Sequence, residues 1–396
     1  MNDTPRRALV IGGGIAGPAV ALFLARAGIE PVVLEAYPRT EDVGGGFQIA
    51  PNGLRVLAEL GLAESLLAQG HPCADMAFRN HHGRLIGVAR TAGAGPGVNV
   101  LRAVLHRVLR EETARRGIEV RYEKRLAGVT QAGREVVATF EDGTTEVGDF
   151  LVGADGVHSR VRAYVLPEHA TPRDTLMISI GGFCAAGVTP PADPDDAGRL
   201  TFMVGPRFQF GYSKMSATQW GWWCHAHAAD GGERARLMAM PLPALRDRML
   251  ERYRGWSAPV QDFVGSTEVW SRTPIHDVPT LPTWTRGRVL LLGDAAHAMS
   301  PAGGQGASLA LQDAMLFAQL AADRTRTIED AMAKFESLRR RRAEQMVAQG
   351  FENDRRSLRE LGPVGMWMRD RVMMPVFASF IEKALNAVYT APLVEA

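Results

Sequence analysis

Cysteine is scarce in this chain of 396 residues: Cys73, Cys184 and Cys224 are the only three, and no two are close in sequence. That argues against a disulfide framework and against a thiolate metal site, so no metal is expected, and a reducing cytoplasm fits as the location. An uninterrupted apolar stretch of membrane-spanning length is also missing. The apolar run after Arg7 is broken by Gly12, Gly13 and Gly14, which reads as a strand and turn rather than a signal peptide. Neither sign of charge dominates. Lys and Arg total 45 against 43 for Asp and Glu, a net charge of +2, which recommends neither a nucleic acid nor a membrane as partner. The run Arg339 to Arg342 lacks interleaved aromatics and reads as the solvated face of a helix. No internal repeat or low-complexity segment breaks the chain.

What is present is ordinary globular material, 46% hydrophobic and 22% charged, in a chain long enough for two domains or one with an insertion. Ala8 to Ile11 predicts a short buried strand, followed by a glycine turn, an Ala- and Leu-rich helix through Ala27 and a second strand at Val32 to Leu34. Helical spacing recurs near 52–69 and 101–116, and strand alternation at Glu119 to Tyr122 and Glu135 to Phe140. From about 172 to 273 helix signals fade and aromatic strands take over, around Thr201 to Tyr212 and Trp220 to His225. An apolar strand returns at Arg288 to Leu292, then a glycine loop and a long helix. The portion from Ile328 is charged and helical, then rich in Met and Phe between Met366 and Phe380.

Three segments carry chemistry. Gly12, Gly14 and Gly17 stand at GxGxxG spacing after a strand and before a helix, with Ile15 and Ala16 between them, so backbone amides at the helix start can approach a pyrophosphate. Glu35, 18 residues beyond Gly17 at the end of the second strand, is placed to accept hydrogen bonds from the hydroxyls of an adenosine ribose. This unit alone does not separate NAD from FAD. The second segment, LVGADGVHSRVR over Leu151 to Arg162, sets Asp155 and Gly156 at a turn before a helix that Ser159 can cap. The third is GRVLLLGDAAHAMSPAGGQGASLALQDA, in which a strand delivers Asp294 and a loop through Pro301, Gly304, Gln305, Gly306 and Ala307 opens a helix whose positive end faces whatever lies above.

The third segment resembles the second flavin motif of the class A flavoprotein monooxygenases, the family of para-hydroxybenzoate and salicylate hydroxylases, and Asp155–Gly156 resembles that family's DG motif. The resemblance implies an α/β fold: a Rossmann-like FAD-binding domain of the GR2 (para-hydroxybenzoate hydroxylase) type with an inserted sheet-rich substrate domain and a helical C-terminal tail. The corresponding division is 1–74, 98–171 and 274–327 for a discontinuous FAD-binding domain, 75–97 and 172–273 for a substrate domain, and 328–396 for the tail. It implies FAD as cofactor, with Gly12, Gly14, Ile15, Ala16, Gly17, Glu35, Asp155, Gly156, Asp294, Pro301, Gly304, Gln305, Gly306 and Ala307 around it. Two further positions resemble flavin neighbours, Arg102 opening LRAVLHRVL and Gln48 in GGGFQIAPN. One departure stands out: the family often has Arg after its acidic ribose ligand, whereas here Ala36 follows Glu35, with Arg39 a weak substitute.

The implied cycle has NADPH or NADH reduce FAD, oxygen add at flavin C4a, and the hydroperoxide pass one oxygen atom to an electron-rich, hydrophobic, aromatic or polycyclic substrate. A DG residue with a dual role would admit the nicotinamide, since no separate nucleotide domain is evident. Such chemistry needs shape and dryness more than a nucleophile. No catalytic acid or base is assigned. Met203, Phe210, Tyr212, Trp223 and His225 of the aromatic strands are the expected substrate contacts, although core packing accounts for aromatics there equally, and His225 with His227 reads as structural or as a proton acceptor. The alternatives left open are a flavin-dependent halogenase, whose WxWxIP segment is absent, a flavin reductase, and a flavin protein that traps substrate without turnover. Oligomeric state is not legible.

Overall fold

The computed structural model describes residues 6–39, 45–185, 187, 193–357 and 359–393. Its centre is a six-stranded sheet in the order Thr285–Arg286, Val289–Leu291, Phe150–Gly153, Arg7–Ile11, Glu30–Leu34, Glu119–Arg121. All neighbours are parallel except the first pair. Leu9, Val10, Val33, Leu34, Leu151, Val152, Leu290 and Leu291 are fully buried, because helices and the antiparallel meander 126–148 together cover the sheet; this is why these strands read as apolar runs rather than as alternations. The helix Ala16–Arg26 lies against the helix Gly306–Ala322, so the two ends of the chain's motif set share one core. A three-stranded antiparallel meander, Leu126–Ala132, Glu135–Phe140 and Thr145–Gly148, flanks this sheet.

A seven-stranded sheet runs in the order Val269–Asp277, Arg173–Ala185, Gln219–His227, Gln209–Lys214, Arg199–Val204, Asp75–Asn80, Leu85–Arg90. Its pairs are antiparallel apart from Arg199–Val204 with Asp75–Asn80. Residues 75–90 and 173–277 therefore build one sheet although more than eighty residues separate them.

The expectation that helices fade over 172–273 is incorrect. Gly231–Ala239, Leu242–Arg252 and Ala258–Gly265 form a helical layer against one face of the sheet. Their glycines and prolines look like breakers, yet Pro243 and Pro259 sit in the first turn, where a missing N–H costs nothing, and Asp230 caps the first helix by accepting from the Glu233 N–H at 2.8 Å.

The long helix Ile328–Ser357 follows the helix Gly306–Ala322, and helical segments continue through Pro363–Met368, Arg369–Met373 and Met374–Thr390. The Arg339 to Arg342 run is not a solvated face throughout. Arg339 is 5% exposed and its Nε donates to Asp313 Oδ1 at 2.7 Å. Among the described residues no helix is long and apolar enough to cross a membrane.

Candidate active site

Parallel strands deliver their carboxyl ends to one edge, and that edge collects the chemistry-bearing segments. The Gly12 N–H donates to the Leu34 carbonyl at 2.9 Å, the Ala154 N–H to Ile11 at 2.8 Å and the Leu292 N–H to Gly153 at 2.9 Å. Adjacent strand ends thus bring Asp294, then Asp155 and Gly156, then Gly12, Gly14, Ile15, Ala16 and Gly17, then Glu35 and Ala36, into one row. Two glycines there are forced by close approach. Gly12 has φ +108°, and a side chain on it would collide with the Ala154 carbonyl; one on Gly17 would strike the Gly12 carbonyl, so the helix could not settle on the turn. Gly14 is different: a Cβ there meets no atom within 4 Å. The same is true at Gly156 and Gly304, whose φ values are +79° and +63°. The loops are therefore tight against each other and open outward, the shape that a diphosphate lying over a helix N-terminus needs.

The Glu35 carboxylate accepts from the Gly13 N–H through Oε2 and from the Tyr37 N–H at 2.8 Å through Oε1. Each oxygen keeps a second lone pair for a ligand hydroxyl. Asp155 does more structural work than its motif announces: it accepts from Ser159 Oγ at 2.5 Å and from the N–H groups of Arg160 and Val161 at 2.8 and 3.1 Å. Burial pushes its carboxyl above the ordinary value against the pull of those donors. Ser159 caps the helix Arg160–Val165 as its sequence position suggests, accepting from the Arg162 N–H at 2.8 Å. Asp294 is exposed at the start of the helix Asp294–His297, and among the described residues no hydrogen bond occupies it.

The loop Pro301–Gly303 and the residues through Ala307 are tied to the segment after the strand Gly46–Ile49. Asn52 Nδ2 donates to Gln305 Oε1 at 3.4 Å and to Gln312 Oε1 at 3.3 Å, and the Ala50 N–H donates to Ser308 Oγ at 3.2 Å. Gln48 lies in that strand, opposite Asn99. Arg102 is exposed at the start of the helix Arg102–Arg115, its N–H donating to the Gly45 carbonyl at 3.0 Å. Arg39 is exposed at the end of a described stretch.

Several contributors escaped the motifs. His106 Nε2 sits 2.6 Å from the Gly13 carbonyl oxygen, bracing the glycine turn from one helical turn beyond Arg102. Arg162 is fully buried and donates to the Ala295 carbonyl at 3.0 Å, joining the segment after Asp155 to that after Asp294. Beneath the loop, His297 Nε2 lies 2.6 Å from Asp313 Oδ2 while Arg339 holds the other oxygen. Burial alone would raise the Asp313 carboxyl, but Arg339 and then His297 hold it below the ordinary range. Sequence signals the trio only in part: His297 and Asp313 stand among apolar helix residues, whereas Arg339 is hidden in a run of four arginines.

The expected substrate contacts divide between two faces. Met203, Phe210 and Tyr212 are 0%, 0% and 1% exposed and pack against the helical layer; Phe210 lies 5.2 Å from Trp222, stacked, and 5.3 Å from Tyr253, edge to face. The Tyr212 hydroxyl donates to the buried Asp196 at 2.5 Å, which Arg79 also holds. These three side chains belong to a core, which corrects their expected role. Trp223 and His225 point to the other face. A Cβ on Gly211 would collide with the Trp223 indole, so that glycine lets the ring lie across its neighbour strand toward Phe202, 5.8 Å away. His225 Nδ1 is 3.3 Å from Asp354 Oδ1, and its Nε2 is buried without a hydrogen-bond partner among the described residues. The long helix connects this face to the loop: a Cβ at Gly350, one turn before Asp354, would stand 3.7 Å from the Gly303 nitrogen.

A strand-end edge with these loops, beside a second, mainly antiparallel sheet, defines the FAD-binding fold of the para-hydroxybenzoate hydroxylase type. A family described as FAD binding domain matches residues 6–350. Among curated relatives, the aurachin C monooxygenase/isomerase of Stigmatella aurantiaca is 29% identical over 98% of this chain and 95% of its own length, and the 6-hydroxynicotinate 3-monooxygenase of Pseudomonas fluorescens is 31% identical over 89% and 92%. The crystal structure of Klebsiella pneumoniae HpxO complexed with FAD and uric acid superposes with a TM-score of 0.83 at 25% identity, covering 97% of this chain and 96% of that one. The chain belongs to this FAD-binding family of class A flavin monooxygenases, and it is an FAD-dependent monooxygenase.

Proposed function

We propose that the protein inserts one oxygen atom of O2 into a hydrophobic aromatic or heteroaromatic ring, with NADH or NADPH as the source of electrons. FAD, when bound, would supply the redox chemistry between the nicotinamide and oxygen. The chain's own residues hold that cofactor, keep water away and place the ring. The observation that carries the reading is a cleft, partly open to solvent, between Gly45–Gly46 and the face of the seven-stranded sheet opposite its helical layer. Phe183, Met215 and Trp223 give it apolar walls, Ser179 and Ser271 give it hydroxyls, and no charged side chain lines it. Glycines at 46 and 221 let Met215 and Phe183 close over the backbone, and a methionine wall adapts to varied ring outlines. The compounds named with relatives, uric acid in the HpxO complex and 6-hydroxynicotinate in the name of the Pseudomonas fluorescens enzyme, are likewise ring compounds.

In this reading Gly12, Gly14, Gly17, Asp155 and Gly156 face the diphosphate, Glu35 the ribose, and Asp294 the ribityl or diphosphate side. Gln48, Arg102, Pro301 and the residues 304–307 surround the flavin ring. The division into an FAD-binding part of 1–74, 98–171 and 274–327, a substrate part of 75–97 and 172–273, and a tail from 328 goes with it, supported by the way residues 75–90 join the second sheet. Because Asp294 is exposed and unengaged, Asp294→Ala keeps the fold and weakens FAD binding about 10- to 100-fold, the worth of one or two hydrogen bonds to a carboxylate. Fluorescence titration of apoprotein with FAD reads this; unchanged affinity removes Asp294 from the site.

We propose that His225, paired across the sheet with the cleft-lining Ser179, accepts a proton from a substrate hydroxyl. Asp354 orients its Nδ1 side, leaving Nε2 on the face that carries Trp223. His225→Asn is expected to lower kcat by about 10²- to 10⁴-fold, the usual worth of general base catalysis, with a much smaller change in KM and partial recovery at higher pH, where the substrate ionises unaided. An unaltered kcat and pH profile would leave His225 a structural residue. A stimulated oxidation of NAD(P)H that yields no oxygenated product would instead favour the reading of a flavin protein that traps its ligand.

A further inference from the structure

The strands Val269–Asp277, Arg173–Ala185 and Gln219–His227 lie side by side, and their register lays out the floor of the cleft as a grid. One row runs Thr273, Ser179, His225; the next Ser271, Gly181, Trp223; the third Val269, Phe183, Gly221. Successive rows stand about 7 Å apart, two residues along a strand. The floor is therefore polar at one end and apolar at the other. At the apolar end Met215 and Phe183 close over Gly221, where a Cβ would stand 2.9 and 3.2 Å from them. In the middle row Gly181 adds no side chain, and the Ser271 Oγ lies 3.5 Å from the position its Cβ would take. Among the described residues no hydrogen bond occupies the hydroxyls of Ser179, Ser271 or Thr273.

The cations of the sheet are turned elsewhere. Arg272, beside Ser271, donates to the Leu237 and Met240 carbonyls of the helical layer at 3.2 and 2.5 Å. Lys214 follows Phe210 and Tyr212 at alternate positions and shares their face. Arg173 gives two N–H groups to Asp277 at 2.8 and 2.5 Å and lies 3.7 Å over the Phe351 ring. No Lys or Arg is among the described residues that line the cleft, and the residues outside the described stretches include no Lys, Arg or His. In the reading above Arg102 serves the flavin ring. His225, the one titratable side chain of the grid, already has the Asp354 carboxylate 3.3 Å from its Nδ1. A carboxylate brought to this floor meets neutral hydroxyls and a like charge, with no cation to offset its lost hydration.

We infer that the cleft selects an uncharged ring compound carrying a hydroxyl or carbonyl on one edge, held by Ser179 and Ser271, and discriminates against the same ring bearing a carboxylate. A serine hydroxyl donates to a carbonyl and accepts from a hydroxyl, so the pair recognises either group without charge. The opposite, apolar edge of the ring then lies toward Phe183 and Met215. The inference rests on the proposed oxygenation of a ring compound and narrows its substrate class.

Matched probes on the FAD-loaded protein test it: 2-naphthol against 3-hydroxy-2-naphthoate, and 4-hydroxyquinoline against its 2-carboxylate. Dissociation constants are read from the change in flavin absorbance, and kcat/KM from NAD(P)H oxidation together with product mass. The uncharged member of each pair is expected to be favoured by about 100-fold or more in kcat/KM, the scale on which a site rejects a polar group it leaves unpaired. Ser179→Ala and Ser271→Ala should each lower kcat/KM for the uncharged member by about 3- to 10-fold, the worth of one neutral hydrogen bond, with flavin absorbance unchanged. Ser271→Arg supplies the missing counter-charge and should narrow the preference by about tenfold or more through better use of the carboxylated member, a gain that a misfolded protein does not produce. Equal or better use of the carboxylated members by wild type overturns the inference, as does a Ser271→Arg variant with an unchanged preference, or silence of both alanine variants. Wild type that binds neither member of either pair overturns it as well; oxygenation as such is read separately, from whether any probe gains an oxygen atom.

Discussion

Replacing Gly14 by valine is expected to give a folded, colourless protein. The first and third glycines of the turn are closed in by the Ala154 and Gly12 carbonyls, so a side chain at either disturbs the fold itself, whereas a Cβ at Gly14 enters empty space at the start of the helix Ala16–Arg26. That space is where a diphosphate would meet the helix N-terminus, with backbone N–H groups and the positive end of the dipole directed at it. Two methyl groups there exclude the phosphates without touching the protein. FAD affinity should fall by about 100-fold or more, equivalent to losing at least two charge-assisted hydrogen bonds, with thermal stability of the apoprotein within about 1 kcal/mol of the parent. Gly17→Val should instead unfold the strand, turn and helix unit. Retention of FAD by the Gly14 variant would place the diphosphate elsewhere.

A second large effect is expected at the buried trio of His297, Asp313 and Arg339, which are 2%, 0% and 5% exposed. Asp313→Asn leaves the Arg339 guanidinium buried without its counter-ion, which costs about 3–5 kcal/mol. Arg339→Met, similar in length and apolar, removes the charge along with its demand for a partner and should cost less. The pH dependence has a definite sign. The folded Asp313 carboxyl titrates below its ordinary value, so its stabilisation is complete above about pH 4, the unfolded value, and is lost as pH falls further through the folded value. Thermal melts of wild type and Asp313→Asn should therefore converge on acidification; a constant gap between them down to about pH 2 would contradict the ionised Asp313–Arg339 pair. Because His297 and Asp313 lie on the two helices that bracket the loop 301–305, loss of the trio should also weaken FAD retention.

The parts of the fold that sequence announced are those where the backbone itself is constrained. Gly12 and Gly17 are required by atoms at the end of the adjacent strand or one turn away, and the apolar strands at Ala8 to Ile11 and Val289 to Leu291 are buried on both faces, so periodicity and spacing find them. Side-chain direction was harder to read. Alternation separates Phe210 and Tyr212 from Trp223, but both faces of this sheet are covered for much of their extent, one by helices and the other by the cavity and the long helix, so composition does not tell which is which. The helices 231–239, 242–252 and 258–265 hid behind Gly231, Gly232, Pro241, Pro243 and Pro259, residues that interrupt a helix interior but open a helix comfortably. The Arg339 to Arg342 run misled because a charge run is usually solvated, and the partner that buries Arg339, Asp313, lies 26 residues upstream on another helix. His106 carried no signal beyond its i+4 spacing from Arg102.

The central claim is that this chain transfers one oxygen atom from O2 to a ring compound, at the expense of NAD(P)H and through FAD. Its most direct test is turnover of the FAD-loaded protein under ¹⁸O2 with a panel of hydrophobic aromatic and heteroaromatic compounds, reading NAD(P)H consumption and product mass together. The account predicts that one class of ring accelerates NAD(P)H oxidation and gains a single ¹⁸O atom per nicotinamide consumed. A protein that binds no FAD, or one whose product takes its added oxygen from water, would contradict it.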